Sequence, residues 1–185
     1  MDLLTGIETR ASALKLSAPG PTREQLERIL RAGLRAPDHG RLRPWRFVVL
    51  EGDARRKLGD VMAELLRAKM PQATPEQLDA QRNKVMRAPT IVVAAARITK
   101  GKIPDVEQVA AVSAGVQNMF LAAHGLGIGA MWKTGAAAYD AKAKIALGLQ
   151  PEDHIVAFLY LGTIVTPGTP APDAPVDAVT LWPAS

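Results

Sequence analysis

The chain has 185 residues, which is enough for one domain (residues 1–185) with a substantial core. Its 48% hydrophobic and 22% charged residues are ordinary for a globular protein, and the net charge of +5 permits an anionic partner without requiring one. The lack of cysteine excludes disulfides, thiol nucleophiles and cysteine metal sites. The three histidines lie far apart without ligand spacing, so no metal site is expected.

Hydrophobic periodicity and turn residues predict helices and single buried strands in alternation, without a regular βαβ rhythm. The predicted helices cover residues 2–10, 23–36, 54–68, 75–87, 105–124 and 140–147, and the predicted strands cover 46–50, 90–96, 130–135 and 155–161. This order favours an α+β fold, a three-layer α/β/α sandwich around a mixed sheet of four or five strands. Residues 166–185 are rich in proline and predict an extended C-terminal arm.

Two further segments bear on function. Residues 109–132 contain no Asp, Glu, Lys or Arg, but the glycines at their end would break a membrane-spanning helix, so a buried helix is expected. No signal peptide is expected at the start of the chain, and a soluble, cytoplasmic protein without membrane attachment is predicted. The helix 75–87 is polar, and we interpret it as an exposed, mobile lid over a pocket.

A basic turn between the second helix and the first predicted strand is a candidate for binding chemistry, because surface loops held by rigid elements often carry it. It contains five basic side chains, namely Arg35, His39, Arg41, Arg43 and Arg46. The pattern indicates an anionic ligand, but a solvated turn that caps a strand has the same composition. A nucleic-acid surface at 35–46, with interleaved aromatic residues, is the main non-enzyme alternative.

Other motifs for nucleotide or acyl chemistry are weak or absent. The glycines of Gly-Leu-Gly-Ile-Gly at 125–129 follow a helix and precede a strand, which is the reverse of the order in a dinucleotide-binding fingerprint. There is neither a P-loop nor a Gly-x-Ser-x-Gly elbow. The amides of residues 133–135, just beyond the glycines, are well placed to donate hydrogen bonds to a flat ligand.

Four motifs, in order, resemble the FMN-dependent nitroreductases, and most of all their short NAD(P)H-dependent members. Arg10, Ala11 and Ser12 resemble the Arg-Arg-Ser opening of that family. Ala-Pro-Asp-His and Pro-Trp-Arg-Phe within 36–47 are similar to its Ala-Pro and Pro-Trp-x-Phe signature. Gln-Asn-Met-Phe-Leu-Ala-Ala at 117–123, with the glycines that follow, matches its central helix and turn, and Phe-Leu-Tyr-Leu-Gly-Thr at 158–163 its last core strand.

The resemblance implies a homodimer with two FMN molecules at the subunit interface. NADH or NADPH would reduce the flavin, and a nitro compound or a quinone would reoxidise it in a second, ping-pong step. No side chain would need to act as a catalytic acid or base, because the flavin carries the chemistry.

The resemblance also implies a set of cofactor-binding residues. Arg10 would bind the FMN phosphate with Ser12 beside it, and Arg35 and His39 would reach the flavin of the partner subunit. The isoalloxazine ring would be lined by Trp132, Lys133 and Thr134, with a backbone amide near flavin N5 and the lysine near N1 and O2.

The sequence departs from the family pattern at the phosphate site. Ala11 replaces the second basic residue, Leu14 stands where many relatives have a cation, although Lys15 is next to it, and no Lys or Arg follows Gly162. The set of phosphate partners therefore stays open. A flavin-binding storage or sensor protein without enzymatic activity is a further alternative.

Overall fold

The structure, a computed structural model, describes residues 1–172. Within them the strands are β1 (Lys15–Ser17), β2 (Trp45–Glu51), β3 (Thr90–Ala96), β4 (Gly129–Lys133) and β5 (His154–Thr166). The α-helices of the same residues are α1 (Leu3–Thr9), α2 (Arg23–Gly33), α3 (Asp53–Lys69), α4 (Pro75–Arg82), α5 (Asp105–Gly125), α6 (Ala136–Tyr139) and α7 (Ala141–Ala146).

The long strand β5 organises a five-stranded sheet. It pairs with β3 along one edge and with β4 along the other, its last residues pair with β1, and β2 pairs with the far side of β3. The α+β class is confirmed, but all four pairings are antiparallel, so the expectation of a mixed sheet was wrong. Two helices, α3 and α4, connect β2 to β3, and this return by two helices permits antiparallel neighbours, whereas a single crossover helix gives parallel ones.

Helices cover both faces of the sheet, as the three-layer prediction requires. All seven residues of β3 are buried, because alternate side chains enter two separate cores. Val92 lies in the core formed with α2 and α5, and Val93 lies in the core formed with α3, α6 and α7.

The predicted polar helix 75–87 is two elements. α4 ends at Arg82, and a 3-10 turn covers Asn83–Arg87. Leu78 and Val85 are buried, and the Arg82 Nε donates a hydrogen bond of 2.7 Å to Asp60 Oδ1 on α3. Most residues of this segment are exposed, as expected, while its apolar side is packed on α3.

The described part of the C-terminal arm begins after β5, which continues to Thr166, beyond the predicted strand end. Residues 167–172 contain neither helix nor strand. The rest of the predicted arm, 173–185, lies outside the described residues. Among the described helices, none combines the length and the apolar character that crossing a membrane requires.

Candidate functional site

A groove opens between β4, the segment that leads into β1, and the 3-10 turn after α4. It has two lobes of about 200 and 380 Å³ that share the side chains of Arg87, Met131 and Lys133. The smaller lobe is completed by Met62, Lys84, Thr134 and Tyr160, and the larger by Leu14, Lys15, Leu16 and Met86. The walls are therefore apolar, with basic groups placed among them.

The charged side chains that the described residues contribute to this groove are all positive. Four cations line it, Lys15, Lys84, Arg87 and Lys133, and no described Asp or Glu does. Within residues 1–172 none of the four forms a salt bridge, and the Lys84 ammonium donates to a neutral acceptor, Gln81 Oε1, at 2.5 Å. Unpaired cations beside an apolar wall favour an electron-rich or anionic ligand.

The alternation of β4 decides which predicted residues face the groove. Met131 and Lys133 point to one side of the strand, whereas the side chain of Trp132 packs in the opposite core, with α5. The Trp132 indole Nε1 donates to the carbonyl of Val156 at 3.2 Å. Lys133 and Thr134 thus line the groove, whereas the Trp132 side chain does not, and only the Trp132 backbone is left to take part in binding there.

Tyr160 of β5 closes one end of the smaller lobe. Burial raises the pKa of its phenol above the ordinary value of 10.0, and the positive charge of Arg87 opposes that rise to a lesser degree. The phenol is therefore protonated at neutral pH and keeps its O–H as a hydrogen-bond donor.

Arg10 follows α1 and lies on the α5 side of the molecule. Its guanidinium is stacked over the ring of Phe120, with 4.8 Å between the guanidinium carbon and the ring centroid. The Arg10 Nε is buried and has no hydrogen-bond partner among the described residues. An unsatisfied buried donor is costly, about 1–3 kcal/mol, so this side chain has unused binding capacity.

The segment from Arg10 to β1 connects two cavities. Ala11 and Ala13 line a cavity of about 140 Å³ beside Phe120, and the three residues that follow line the groove. Ser12 is exposed between them, and its carbonyl lies so close to Gly168 that a Cβ atom would not fit there. The chain therefore places the Arg10–Ser12 motif directly upstream of the cationic groove.

Arg35 and His39 lie elsewhere. Arg35 is exposed just after α2, and His39 begins a 3-10 turn (His39–Arg41) and contacts Glu107 in the first turn of α5. Phe120, on which Arg10 is stacked, lies about 20 Å from Glu107 along that helix, at a rise of about 1.5 Å per residue. One chain thus does not bring Arg10 and His39 together.

The turn also fails to present aromatic rings as a nucleic-acid surface would. The Trp45 indole Nε1 donates to the carbonyl of Ala111 on α5 at 3.4 Å, and Phe47 is half-buried beneath Gly33 of α2. Arg41, Arg43 and Arg46 are exposed, and among residues 1–172 the one stacked arginine–aromatic contact is that of Arg10 with Phe120. This arrangement favours the interpretation of these three as surface charges.

Lys84, Arg87 and Tyr160 line the groove but were not predicted from the sequence as individual site residues. The hypothesis that segment 75–87 shapes a pocket agrees with the position of the 3-10 turn in the groove wall. Two cations three residues apart, just before a central strand, were the available signal, because that spacing places both on one side of a helical turn.

The fold and the groove together define a three-layer α+β domain that can hold a flat, electron-rich ligand at the edge of its sheet. The sequence profile of the Nitroreductase family matches residues 7–163. The chain is 39% identical over 164 residues, 88% of either chain, to the Escherichia coli (strain K12) protein named "Putative NAD(P)H nitroreductase YdjA". It is 36% identical over 167 residues to a Haemophilus influenzae protein named "Putative NAD(P)H nitroreductase", covering 88% of this chain and 89% of that one.

Solved structures agree on the fold. A nitroreductase-like family protein from Bacillus cereus superimposes with a TM-score of 0.83 at 23% identity, covering 100% of this chain and 97% of the other. A Desulfovibrio desulfuricans nitroreductase in complex with FMN gives a TM-score of 0.75 at 24% identity, over 98% and 97% of the two chains. The chain belongs to the nitroreductase family. The predicted family is thereby confirmed, and with it the prediction of an oxidoreductase.

Proposed function

We propose that this protein is an FMN-dependent NAD(P)H oxidoreductase that reduces nitroaromatic or quinone acceptors by a ping-pong mechanism in one pocket. The observation that carries the proposal is the apolar groove, whose four cations form no salt bridge within residues 1–172 and whose lining begins two residues after the Arg10–Ser12 motif. Bound FMN would supply the redox chemistry, taking a hydride from the nicotinamide and passing it to the acceptor. The relatives named above support this cofactor and this reductant.

The residues present fit a flavin mononucleotide. The side chains of Leu14, Met86 and Met131 offer an apolar surface for a ring system, and Lys133 lies beside that surface. Arg10 has an unused buried donor, and a guanidinium binds phosphate through two parallel hydrogen bonds. The groove cations replace in part the basic residues that are missing at Ala11 and after Gly162.

The protein's own residues would position the reactants and tune the site. The Lys133 ammonium would stabilise negative charge at the edge of a bound ring, because opposite charges attract. Thr134, directly after β4, extends the same wall. The protonated phenol of Tyr160 gives the smaller lobe a neutral donor for a polar acceptor molecule.

A homodimer is part of this proposal, because one chain does not bring its predicted site residues together. Arg35 and His39 would complete the site of the partner subunit. The apolar face of α1 supports an interface, since Leu3, Leu4 and Ile7 are 71%, 68% and 48% exposed. We also propose that the protein works as a single domain in the cytoplasm, a reducing compartment with which its cysteine-free sequence is compatible.

The experiment is anaerobic reduction of the purified protein. We expect flavin absorbance, bleaching by NADH or NADPH, and recovery of the colour on addition of a nitroaromatic compound or a quinone. A colourless preparation that takes up no added FMN would overturn the proposal. A yellow protein that neither NADH nor NADPH bleaches would instead indicate flavin storage or sensing.

A further inference from the structure

The imidazole of His39 makes a short contact with a carboxylate that no sequence motif indicated. Its Nδ1 lies 2.5 Å from Glu107 Oε2, within hydrogen-bonding distance. An ionised carboxylate can only accept, so the Nδ1 atom must carry the proton and donate it. His39 Nε2 has no partner among residues 1–172 and is the ring nitrogen that remains for another group.

The turn that carries His39 is held in an unfavourable backbone conformation. Arg41 and Arg43 have φ values of 55° and 52°, in the left-handed region that residues with a Cβ atom avoid. The Asp38 carboxylate accepts a hydrogen bond of 2.6 Å from the Arg43 amide, and Ile103 packs directly on Gly40. Such a conformation persists only where its surroundings enforce it, and it is common at sites that clamp ligands.

Free neutral histidine carries its proton mainly on Nε2, so a fixed Nδ1–H form needs a specific acceptor. An acceptor that hydrogen-bonds one ring nitrogen of a histidine orients the ring and determines whether the other nitrogen donates or accepts a hydrogen bond. Glu107 is suited to this role because it sits in the first turn of α5, an element that the α2 contact holds in place.

We propose that Glu107 is a positioning residue. It holds His39 in the Nδ1–H form, so that the outward Nε2 accepts a hydrogen bond from an N–H or O–H group of the flavin nucleotide bound by the partner subunit. This inference rests on the proposed function, which supplies the flavin, and on the dimer. Glu107 itself does not contact the flavin and acts only through His39.

The first test is the tautomer itself. The chain has only three histidines, so ¹⁵N NMR of histidine-labelled protein at alkaline pH, where ordinary imidazoles are neutral, resolves each ring. We expect His39 in the Nδ1–H form in the wild type and in Glu107→Gln, whose amide oxygen still accepts. In Glu107→Ala it should revert to the Nε2–H form. A wild-type His39 in the Nε2–H form would overturn the proposal.

The second test is FMN affinity, measured by quenching of flavin fluorescence. Glu107→Ala should weaken binding about 2- to 10-fold, the effect of one neutral hydrogen bond, and Glu107→Gln should stay close to the wild type. His39→Ala should weaken binding at least as much, and the double variant no further. Glu64→Ala, a substitution on the exposed side of α3, is the control that should change nothing.

The outcomes separate this inference from the proposed function. If the wild type binds FMN and Arg10→Ala weakens it, but Glu107→Ala and His39→Ala bind like the wild type, the positioning role is wrong and the proposed function stands. If the wild type binds no FMN, the proposed function is wrong, and the ligand named here is wrong with it.

Discussion

Gly115 of α5 lies against the main-chain carbonyl of Gly33 on α2. A Cβ atom on Gly115 would come within 2.8 Å of that oxygen, and one on Gly33 would come within 2.8 Å of Met119 Cγ. Across the same contact the Asn118 side chain donates to the Ala32 carbonyl at 3.3 Å. This close approach fixes the end of α2, which leads into the His39 turn, relative to α5, which carries Glu107.

The first prediction concerns this helix contact. Gly115→Ala should lower the free energy of unfolding by about 1–3 kcal/mol, because the new methyl group overpacks the contact with backbone that cannot move aside. Gly125→Ala, at the end of the same helix with open space around it, is the matched control and should leave stability unchanged or slightly higher. Urea unfolding measures both, and equal stabilities would contradict the packing argument.

The second prediction concerns the start of α2. Thr22 Oγ1 accepts from the Gln25 amide at 3.2 Å, and the Gln25 side chain accepts from the Thr22 amide at 2.8 Å. Thr22→Ala should cost about 1 kcal/mol of stability, since both terminal amides lose the reciprocal arrangement. Thr22→Ser keeps the hydroxyl and should retain most of the stability in thermal unfolding. A serine variant as unstable as the alanine variant would mean that the cap is not the cause.

The third prediction concerns Tyr160. Because burial raises the pKa of its phenol above 10.0, its phenolate absorbance should appear at higher pH than that of free tyrosine. The folded state then binds the proton more tightly than the unfolded state, so this contribution to stability is complete below pH 10 and is lost as the pH rises through the folded pKa. Tyr160→Phe should remove this absorbance step and make alkaline unfolding less steep; a step that persists at the same pH in the variant would contradict the assignment.

The fourth prediction concerns the groove. Lys133→Ala should weaken FMN binding about tenfold or more, as expected when a hydrogen bond to a charged group is lost. Lys142→Ala, on the exposed surface of α7, makes the same charge change away from the groove and should bind FMN like the wild type. Equilibrium dialysis at two salt concentrations separates the local contact from a general effect of net charge.

The fifth prediction concerns assembly. Leu4→Glu should shift the protein from dimer to monomer in sedimentation, because it places a charge in the exposed apolar face of α1. Ile145→Glu alters an equally apolar, 60% exposed position on α7 and should leave the dimer intact. Since a complete site would need Arg35 and His39 of the neighbour, the Leu4 variant should also lose FMN affinity. A Leu4→Glu protein that remains dimeric would exclude α1 from the interface.

Local chemistry made several features predictable. The capping box at Thr22 and the seven-residue apolar run of β3 depend on residues next to one another, so the sequence displays them directly. The family motifs also pointed to Lys133, which lines the groove, although its role in binding stays a prediction. The side of β4 on which Trp132 lies was open to prediction as well, because alternation along a strand is a local rule.

The remaining features depend on which distant segments meet. The antiparallel direction of β2 and β3 followed from the connection through α3 and α4, and no residue pattern within either strand indicates it. The groove joins Lys15, Lys84 and Lys133, and the short contact joins His39 to Glu107, residues that no local pattern connects. The sequence by itself thus determined most of the helices and strands, the cap of α2 and the family. Tertiary structure alone decided the shape of the groove and the sign of its charge. The charged side chains come from separate segments, which meet at one edge of the sheet only when they pack against it.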